Sequence, residues 1–249
     1  VVDVSPAPRN ATVAQVTIDF GEAVSGVDLS DLTLTHDGGS NLLTGTENLS
    51  SPEGDRWTLG DLTLLTEPEG TYEFTVLASG AGITDEAGNL LVADASDAWT
   101  MDTSAPAVIL RNPGGGATVG SSAISVDVTF SEEVSGVDAS DIELNGAAAA
   151  GASVGSPADQ GGDTWRFPFS GLSDGPLEVT LAPAPNDIED AAGNDLAADT
   201  WSYTVSILDH FQWDAIPSPQ TEGEAFEVTI RAKNSLGETV QEFEDSVDL

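Results

Sequence analysis

The residues of this sequence that could do chemistry are acidic side chains in two duplicated segments. The pattern F-x-E-x-V-S-G-V-D-x-S-D occupies residues 20–31 and recurs at residues 130–141. A D-x-A-G-N segment follows each copy, at residues 85–89 and 190–194. Carboxylate and amide oxygens are the ligands that Ca²⁺ takes, about six to eight per ion. The candidate metal ligands are Glu22, Asp28, Asp31, Asp85 and Asn89 in the first copy, and Asp102, Glu132, Asp138, Asp141, Asp190 and Asn194 around the second.

The same residues have a second, purely structural interpretation. Asp and Asn side chains often cap turns by hydrogen-bonding to their own backbone, and Gly-Asn pairs form turns. The first copy also has Gly21-Glu22-Ala23 where the second has Ser131-Glu132-Glu133, which weakens any site that needs both acids. Cation binding and turn capping therefore both stay open at this point.

Catalysis is not indicated by the sequence. His36 and His210 are far apart, and neither lies in a Ser-His-Asp arrangement. Among 43 acidic residues, a pair of carboxylates is no signal of glycoside hydrolysis. The chain has no cysteine, which excludes thiolate and disulfide chemistry. We expect a protein that is not an enzyme, with His36 solvated in a turn and residues 114–116 in a hairpin turn.

The elements that must position these acids are short strands. Residues 16–20 and 126–130 alternate apolar and polar side chains, as half-buried strands do. About seven such strands per copy, with turn signals between them, predict an antiparallel β-sandwich. Two pairs of tryptophans, Trp57/Trp165 and Trp99/Trp201, recur at matching places and are interpreted as packing residues. The glycine- and alanine-rich residues 146–155 are interpreted as a loop or an edge, not a helix.

The repeat predicts a division into three parts. The first sandwich covers residues 1–104 and the second covers residues 105–206. From residue 207 the pattern changes, with a strand at 210–216 and another that turns Phe226, Val228, Ile230 and Ala232 inward. About forty residues are too few to close a sandwich, so residues 207–249 are expected to be an incomplete third domain, and the chain a piece of a longer protein.

Three motifs carry a resemblance to a known family. The segments FSEEVSGVDASDIEL, IEDAAGN and DTSAP resemble the bacterial Ig-like repeats of large surface proteins and adhesins, over both copies. The last segment is similar to a second bacterial Ig-like type. The resemblance implies an all-β chain of tandem Ig-like antiparallel β-sandwiches, which serve as spacers or stalks and are often stiffened by calcium.

An Ig-like sandwich would bring the candidate ligands together. The loop after its second strand and the loop before its last strand lie at the end that receives the preceding linker. For the second copy, that end would collect Asp102 from the linker, Glu132 with Asp138 and Asp141, and Asp190 with Asn194. Clustered carboxylates repel one another unless a cation lies between them. We therefore hypothesise Ca²⁺ at the domain junction.

The charge balance limits the partners of the chain. With 43 acidic residues against 6 lysines and arginines, the net charge is −37. Such a chain repels nucleic acid phosphates and anionic membranes, attracts cations, and resists self-association. No apolar run is long enough to span a bilayer. We expect no nucleic acid partner and no membrane insertion.

The leading functional hypothesis is a non-catalytic structural stalk or spacer of an extracellular or cell-surface protein, similar to an adhesin. Its expected partners are the neighbouring Ig-like domains of the same chain and a surface glycan or protein. One alternative is a carbohydrate- or partner-binding module, which a row of exposed aromatic side chains would favour. Another is a set of accessory domains of a secreted hydrolase whose catalytic domain lies elsewhere.

Overall fold

The computed structural model describes residues 1–182 and 187–240, and it forms two compact units. The first unit comprises Val1–Ala105 together with Glu189–Asn194, and the second comprises Pro106–Ile188 and Asp195–Leu249. Regular structure in the described residues consists of β-strands and short 3-10 turns. This is the all-β class that the alternating strands predict, while the three-part division at residues 104 and 206 stays a prediction.

The first unit is a sandwich of two three-stranded sheets. One sheet has the order β1-β5-β4 and the other β3-β6-β8, while β2 and β7 form a separate pair. All the pairings within these sheets are antiparallel. The strands are β1 Val16–Asp19, β2 Val24–Ser25, β3 Leu32–His36, β4 Leu49–Ser50, β5 Arg56–Leu59, β6 Gly70–Val76, β7 Thr84–Asp85 and β8 Ala95–Met101.

Alternation along the strands builds the core of the first unit. Val16 and Ile18 on β1 are buried, and Tyr72, Phe74 and Val76 on β6 are buried from the facing sheet. The polar residues between them point away from the core, as a period of two requires. Burial of these apolar side chains is the main force that holds the two sheets together.

The second unit repeats this plan with longer strands. Its sheets have the orders β9-β11-β15-β13, with β14 also on β15, and β10-β17-β16-β12. A further pair, β18 and β19, follows. The strands are β9 Val108–Asn112, β10 Thr118–Val119, β11 Ala123–Phe130, β12 Ile142–Asn145, β13 Ser153–Val154, β14 Ala158–Gly161, β15 Thr164–Ser170, β16 Gly175–Leu181, β17 Asp199–Val205, β18 His210–Trp213 and β19 Ile230–Lys233.

This strand order is that of the immunoglobulin fold. Strands β9, β11, β15 and β13/β14 occupy the A, B, E and D places, and β12, β16 and β17 occupy C, F and G. Strand β10 runs parallel to β17 at the edge of the second sheet. The first unit has the same B-E-D and C-F-G orders, and a parallel bridge joins Arg9 to Met101 on β8. The chain therefore contains tandem Ig-like β-sandwiches.

The strand register corrects one of the two predicted tryptophan pairs. Trp57 lies opposite Ile18 and Trp165 opposite Val128, so these two are equivalent. Trp99 lies opposite Tyr72, the third residue of β6. The third residue of β16 lies instead opposite Tyr203, and Trp201 is two positions away. Trp99 and Tyr203 are thus the equivalent core aromatics, and pairing Trp99 with Trp201 was wrong because β17 extends further beyond its tryptophan.

Two glycine-rich segments differ in outcome. Residues 114–116 do not form a hairpin, because the strands that flank them, β9 and β10, belong to different sheets of the sandwich. The segment carries the chain from one sheet to the other. Residues 146–155 contain no α-helix; Ala147–Ala149 form a 3-10 turn whose Ala148 is fully buried, and Ser153–Val154 add an edge strand.

The C-terminal segment is less buried than the sequence predicts. Strands β18 and β19 pair antiparallel from His210↔Lys233 to Trp213↔Ile230. Phe226 and Val228, predicted to face inward on a strand, precede β19 and are exposed. Residues 241–249, which belong to the predicted third domain, lie outside the described residues.

Candidate functional site

The acids of the first duplicated segment cap a short helical turn. Asp28 precedes the 3-10 turn Leu29–Asp31, and its Oδ1 accepts a hydrogen bond from Ser30 N at 2.8 Å. Asp31 Oδ2 accepts one from Asp28 N at 2.9 Å, which completes a capping box. The Asp-x-Ser-Asp spacing thus satisfies backbone N–H groups that the turn itself leaves without partners.

The second copy builds the same cap. Asp138 Oδ1 accepts a hydrogen bond from Ser140 N at 2.6 Å, and Asp141 Oδ2 accepts one from Asp138 N at 2.6 Å. Asp141 is 3 % exposed, and burial raises the pKa of its carboxyl above the ordinary value. The Ser140 hydroxyl and amide lower the pKa of Asp138. Identical use of both acids in both copies explains why this spacing recurs.

The glycine of the duplicated segment is required by close packing. Gly136 has φ +82°, and a Cβ atom at this position would lie 1.9 Å from the carbonyl oxygen of Asp187. Gly26 has φ +86°, and its Cβ would lie 2.7 Å from the carbonyl oxygen of Gly82. Only glycine lets the backbone approach the loop before the last strand this closely.

The D-x-A-G-N segments form matching loops. In the first copy, Asp85 Oδ1 accepts from Asn89 N at 2.8 Å and Oδ2 accepts from Asn89 Nδ2 at 2.7 Å. In the second copy, Asp190 accepts from Asn194 N at 2.9 Å and from Asn194 Nδ2 at 2.8 Å. Asp190 is buried, which raises its pKa, but the hydrogen bonds from Asn194 and its neighbours outweigh this and lower it overall. Each aspartate therefore stays ionised and closes its own loop.

Two of the predicted ligands approach each other within the first unit. A carboxylate oxygen of Asp102 and one of Asp190 lie within 4.8 Å of each other. Asn194 Nδ2 donates to the carbonyl oxygen of Asp102 at 3.0 Å, and Asp102 Oδ1 accepts from Ser104 N at 3.0 Å. This pair of carboxylates could share a cation.

The remaining predicted ligands lie in several loops and turns. Glu22 is exposed in the loop after β1, and Glu132 is half-buried in the loop after β11 of the second unit. The other acids are the caps and loop-closing residues just described. Their assignment as Ca²⁺ ligands stays a prediction, and the turn-capping interpretation accounts for the hydrogen bonds that they make.

Sequence reasoning missed a buried acid in the loop before β4. Glu47 is 8 % exposed, and its carboxylate accepts hydrogen bonds from Thr44 N and Oγ1, both at 2.8 Å, from Gly45 N at 2.9 Å and from Thr46 N at 3.1 Å. Burial raises its pKa, but these bonds outweigh burial and lower the pKa from 4.5 to about 2. The only signal in the sequence is Thr-Gly-Thr-Glu, a turn composition with an acid at its end.

The two histidines have separate local partners. His36 ends strand β3, where its Nε2 lies 2.7 Å from the carbonyl oxygen of Glu69 and its ring packs on Tyr72 at 4.7 Å. It is half-buried, so the prediction of a solvated turn was wrong. His210 Nδ1 lies 2.8 Å from the neighbouring Asp209 carboxylate.

No helix among the described residues has the length and apolar character needed to cross a membrane.

Comparison with known proteins finds a similar protein but does not assign the chain to a family. No family model matches the chain. The chain is 29% identical over 191 residues to halomucin of Haloquadratum walsbyi, a match that covers 76% of this chain and 2% of that protein. The chain thus spans a small fraction of the length of this curated relative.

Solved structures that match the chain include an adhesin and a titin fragment. The Escherichia coli adhesin FdeC matches with a TM-score of 0.42 and 16% identity, covering 94% of this chain and 72% of that one. A titin I-band fragment matches with a TM-score of 0.36 and 12% identity, covering 82% and 73%. InvD of Yersinia pseudotuberculosis matches with a TM-score of 0.32 and 12% identity, covering 94% and 65%. The Ig-like fold itself rests on the strand order of each unit.

Proposed function

We propose that this chain is a non-catalytic spacer segment of a large extracellular or cell-surface protein, built from repeats of the bacterial Ig-like type. The observation that carries the proposal is the equal use of the duplicated acids: in both copies they cap the same turn and close the same loop. A repeated set of residues with a folding role is typical of a modular array. Similarity to halomucin supports a surface protein, and the net charge of −37 would keep such an array soluble.

Hydrogen bonds between an N-terminal segment and the last strand would give each sandwich resistance to pulling. In the first unit, Arg9 N donates to Thr100 O at 3.0 Å and Asp102 N donates to Arg9 O at 2.9 Å. In the second unit, Thr204 N donates to Ala117 O at 3.0 Å. The paired strands run parallel, so a force on the two ends of a unit loads these bonds in shear, and several must break together.

Single-molecule stretching of the chain tests this role. Thr204→Pro removes the N–H that donates to Ala117, and we expect one of the two unfolding peaks to fall to a lower force. The peak of the first unit, in the same molecule, is the control and should not change. Equal unfolding forces for the wild type and Thr204→Pro would contradict the proposed load path.

Ca²⁺ is the ion that we propose for the Asp102–Asp190 pair. An oxygen separation of up to 4.8 Å suits one ion with metal–oxygen distances of about 2.3–2.6 Å. Bound Ca²⁺ would supply positive charge between two carboxylates that otherwise repel. Asn194 would hold both partners in place, because its side-chain amide donates to the carboxylate of Asp190 and to the carbonyl oxygen of Asp102.

Thermal unfolding in calcium and in chelator tests this ion. A ligand at 100 times its dissociation constant stabilises the folded state by about 2.7 kcal/mol. The midpoint should therefore rise in millimolar CaCl₂ relative to chelator, at matched ionic strength, and the rise should disappear in Asp102→Asn. An unchanged midpoint at moderate salt would exclude a calcium role in stiffening.

A second function, binding of a carbohydrate or another partner, is favoured by exposed aromatic side chains. Phe211 and Trp213 alternate on β18, so they share one face, and they are 36% and 54% exposed. Aromatic faces at this spacing can stack on sugar rings. A glycan array with the wild type and Trp213→Ala tests this role. If no glycan binds the wild type more strongly than it binds Trp213→Ala, the role is excluded.

A further inference from the structure

An acidic residue just before β6 binds the segment that follows the last strand of the first unit. Glu69 Oε1 accepts hydrogen bonds from Thr103 N at 2.9 Å, Thr103 Oγ1 at 2.6 Å and Ser104 Oγ at 2.9 Å. Thr103 and Ser104 come directly after β8 and Asp102. One carboxylate oxygen thus gathers three donors from the exit segment of this sandwich.

An acidic residue just before β16 does the same in the second unit. Asp174 Oδ1 accepts a hydrogen bond from Ile207 N at 2.6 Å. Its Oδ2 accepts from Ser235 N at 2.9 Å and from the Ser235 hydroxyl. Ile207 belongs to the exit segment after β17, and Ser235 lies in the turn after β19. This carboxylate therefore ties the exit segment to the structure that comes next along the chain.

The two acids are equivalent by register. Strand β6 pairs Gly70 with Met101, and β16 pairs Gly175 with Val205. In each unit the acid directly precedes this glycine, and the amide that it binds lies two residues beyond the glycine's partner. The side chains differ, glutamate in one copy and aspartate in the other, and they still reach the same backbone group.

The glycine after each acid is fixed by its conformation. Gly70 has φ +135° and Gly175 has φ +125°, a region that other residues rarely adopt. A Cβ atom on Gly70 would lie 2.3 Å from His36 Nε2, and one on Gly175 would lie 3.1 Å from Ala147 Cβ. The acid–glycine pair is therefore one unit, in which the glycine makes the turn that begins β6 or β16 and the acid binds the exit segment.

We propose that this acid–glycine pair is a carboxylate clasp that holds the exit segment of each sandwich in a single conformation without a metal ion. Its use as a stiffening device rests on the proposed spacer function, but its existence does not. Hydrogen bonds from Thr103 and Ser104 lower the pKa of Glu69. For Asp174, burial raises the pKa, and the bonds from Ile207 and Ser235 outweigh it. Both carboxylates are therefore ionised at neutral pH. Hydrogen bonds to an ionised acceptor are stronger than those to a neutral one.

Amide hydrogen exchange by NMR, on the full chain in chelator, tests the clasp. Glu69→Ala should speed exchange at Thr103 N roughly tenfold, and Asp174→Ala should do the same at Ile207 N and Ser235 N. Glu69→Gln should retain most protection, because the single oxygen that accepts all three bonds is kept as an amide oxygen. Asp174→Asn should lose protection at one of its two amides, because both of its oxygens are used.

Glu73→Ala and Glu178→Ala are the matched controls, since both side chains are exposed on β6 and β16, and neither should change the exit-segment amides. Unchanged exchange at Thr103 and Ile207 in both clasp variants would overturn the proposal. Core amides of β6 and β16 report separately whether each variant is folded. Failure of the clasp leaves the unfolding force of the sandwiches unaffected, so it is distinguishable from failure of the spacer role.

Discussion

Replacing Glu47 with glutamine should destabilise the first unit. The carboxylate accepts four hydrogen bonds, two at each oxygen, from Thr44, Gly45 and Thr46. Its pKa falls from 4.5 to about 2 in the folded chain. At about 1.4 kcal/mol for each unit of pKa, the ionised group contributes up to about 3 kcal/mol to the free energy of unfolding. Glutamine would place an amide NH₂ against two N–H donors, so we expect a loss of about 2–3 kcal/mol at pH 7.

This loss should depend on pH in a defined direction. The unfolded glutamate takes up its proton near pH 4.5, whereas the folded one takes it up only near pH 2. The stabilisation is therefore complete above about pH 5 and disappears as the pH falls towards about 2. Glutamine does not titrate, so the difference in unfolding free energy between wild type and Glu47→Gln should shrink over this window.

Urea unfolding followed by tryptophan fluorescence at pH 7, 5 and 3 measures this difference. Glu73→Gln is the control, because Glu73 is exposed on β6 and its replacement should change the unfolding free energy by less than about 0.5 kcal/mol. A difference below about 0.5 kcal/mol for Glu47→Gln, or one that stays constant from pH 7 to pH 3, would refute the assignment of Glu47 as a buried, ionised acceptor.

Three further predictions concern a close backbone contact, a loop-closing side-chain amide and the net charge of the chain. Gly136→Ala should cost at least about 2 kcal/mol in urea unfolding, because its Cβ would meet the Asp187 carbonyl, whereas Gly120→Ala, which meets nothing within 4 Å, should be near neutral. Asn194→Asp should lower the melting temperature at pH 7, because it places a second carboxylate against that of Asp190. Part of the lost melting temperature should return at lower pH, where one of these two carboxylates is protonated. Raising NaCl from about 0.1 M to about 1 M should raise the melting temperature, because salt screens the self-repulsion of a chain with net charge −37; a fall in the melting temperature would contradict this view of the surface.

The sequence was sufficient to predict the sandwich class because alternation and duplication point to the same elements. Residues 16–20 and 126–130 alternate strictly, and residues 16–19 and 126–130 lie in the B strands β1 and β11 of Ig-like sheets. The match of Trp57 with Trp165 also followed from the repeat. The match of Trp99 with Trp201 did not, because order along the chain does not reveal strand register.

The hydrogen-bonding roles of the acids could be predicted only in part. Turn capping was one of two interpretations for Asp28 and Asp138, since Asp-x-Ser-Asp is a local pattern. The clasp acids Glu69 and Asp174 were not found, because their partners are more than thirty residues away along the chain. Glu47 was missed because one acid among 43 carries no signal of burial. Local spacing predicts local contacts, and long-range contacts require the fold.

The measurement that tests the spacer role most directly is stretching of the unmodified chain from its two ends. If each sandwich is an independent folding unit closed by parallel bonds between its last strand and a segment nearer its N-terminus, extension should proceed in two abrupt steps. Each step should release about 300 Å, because roughly one hundred residues extend to about 350 Å at about 3.5 Å per residue and the folded sandwich already spans part of that length. Gradual extension without discrete steps, at forces no higher than those of an unfolded chain, would contradict the spacer role.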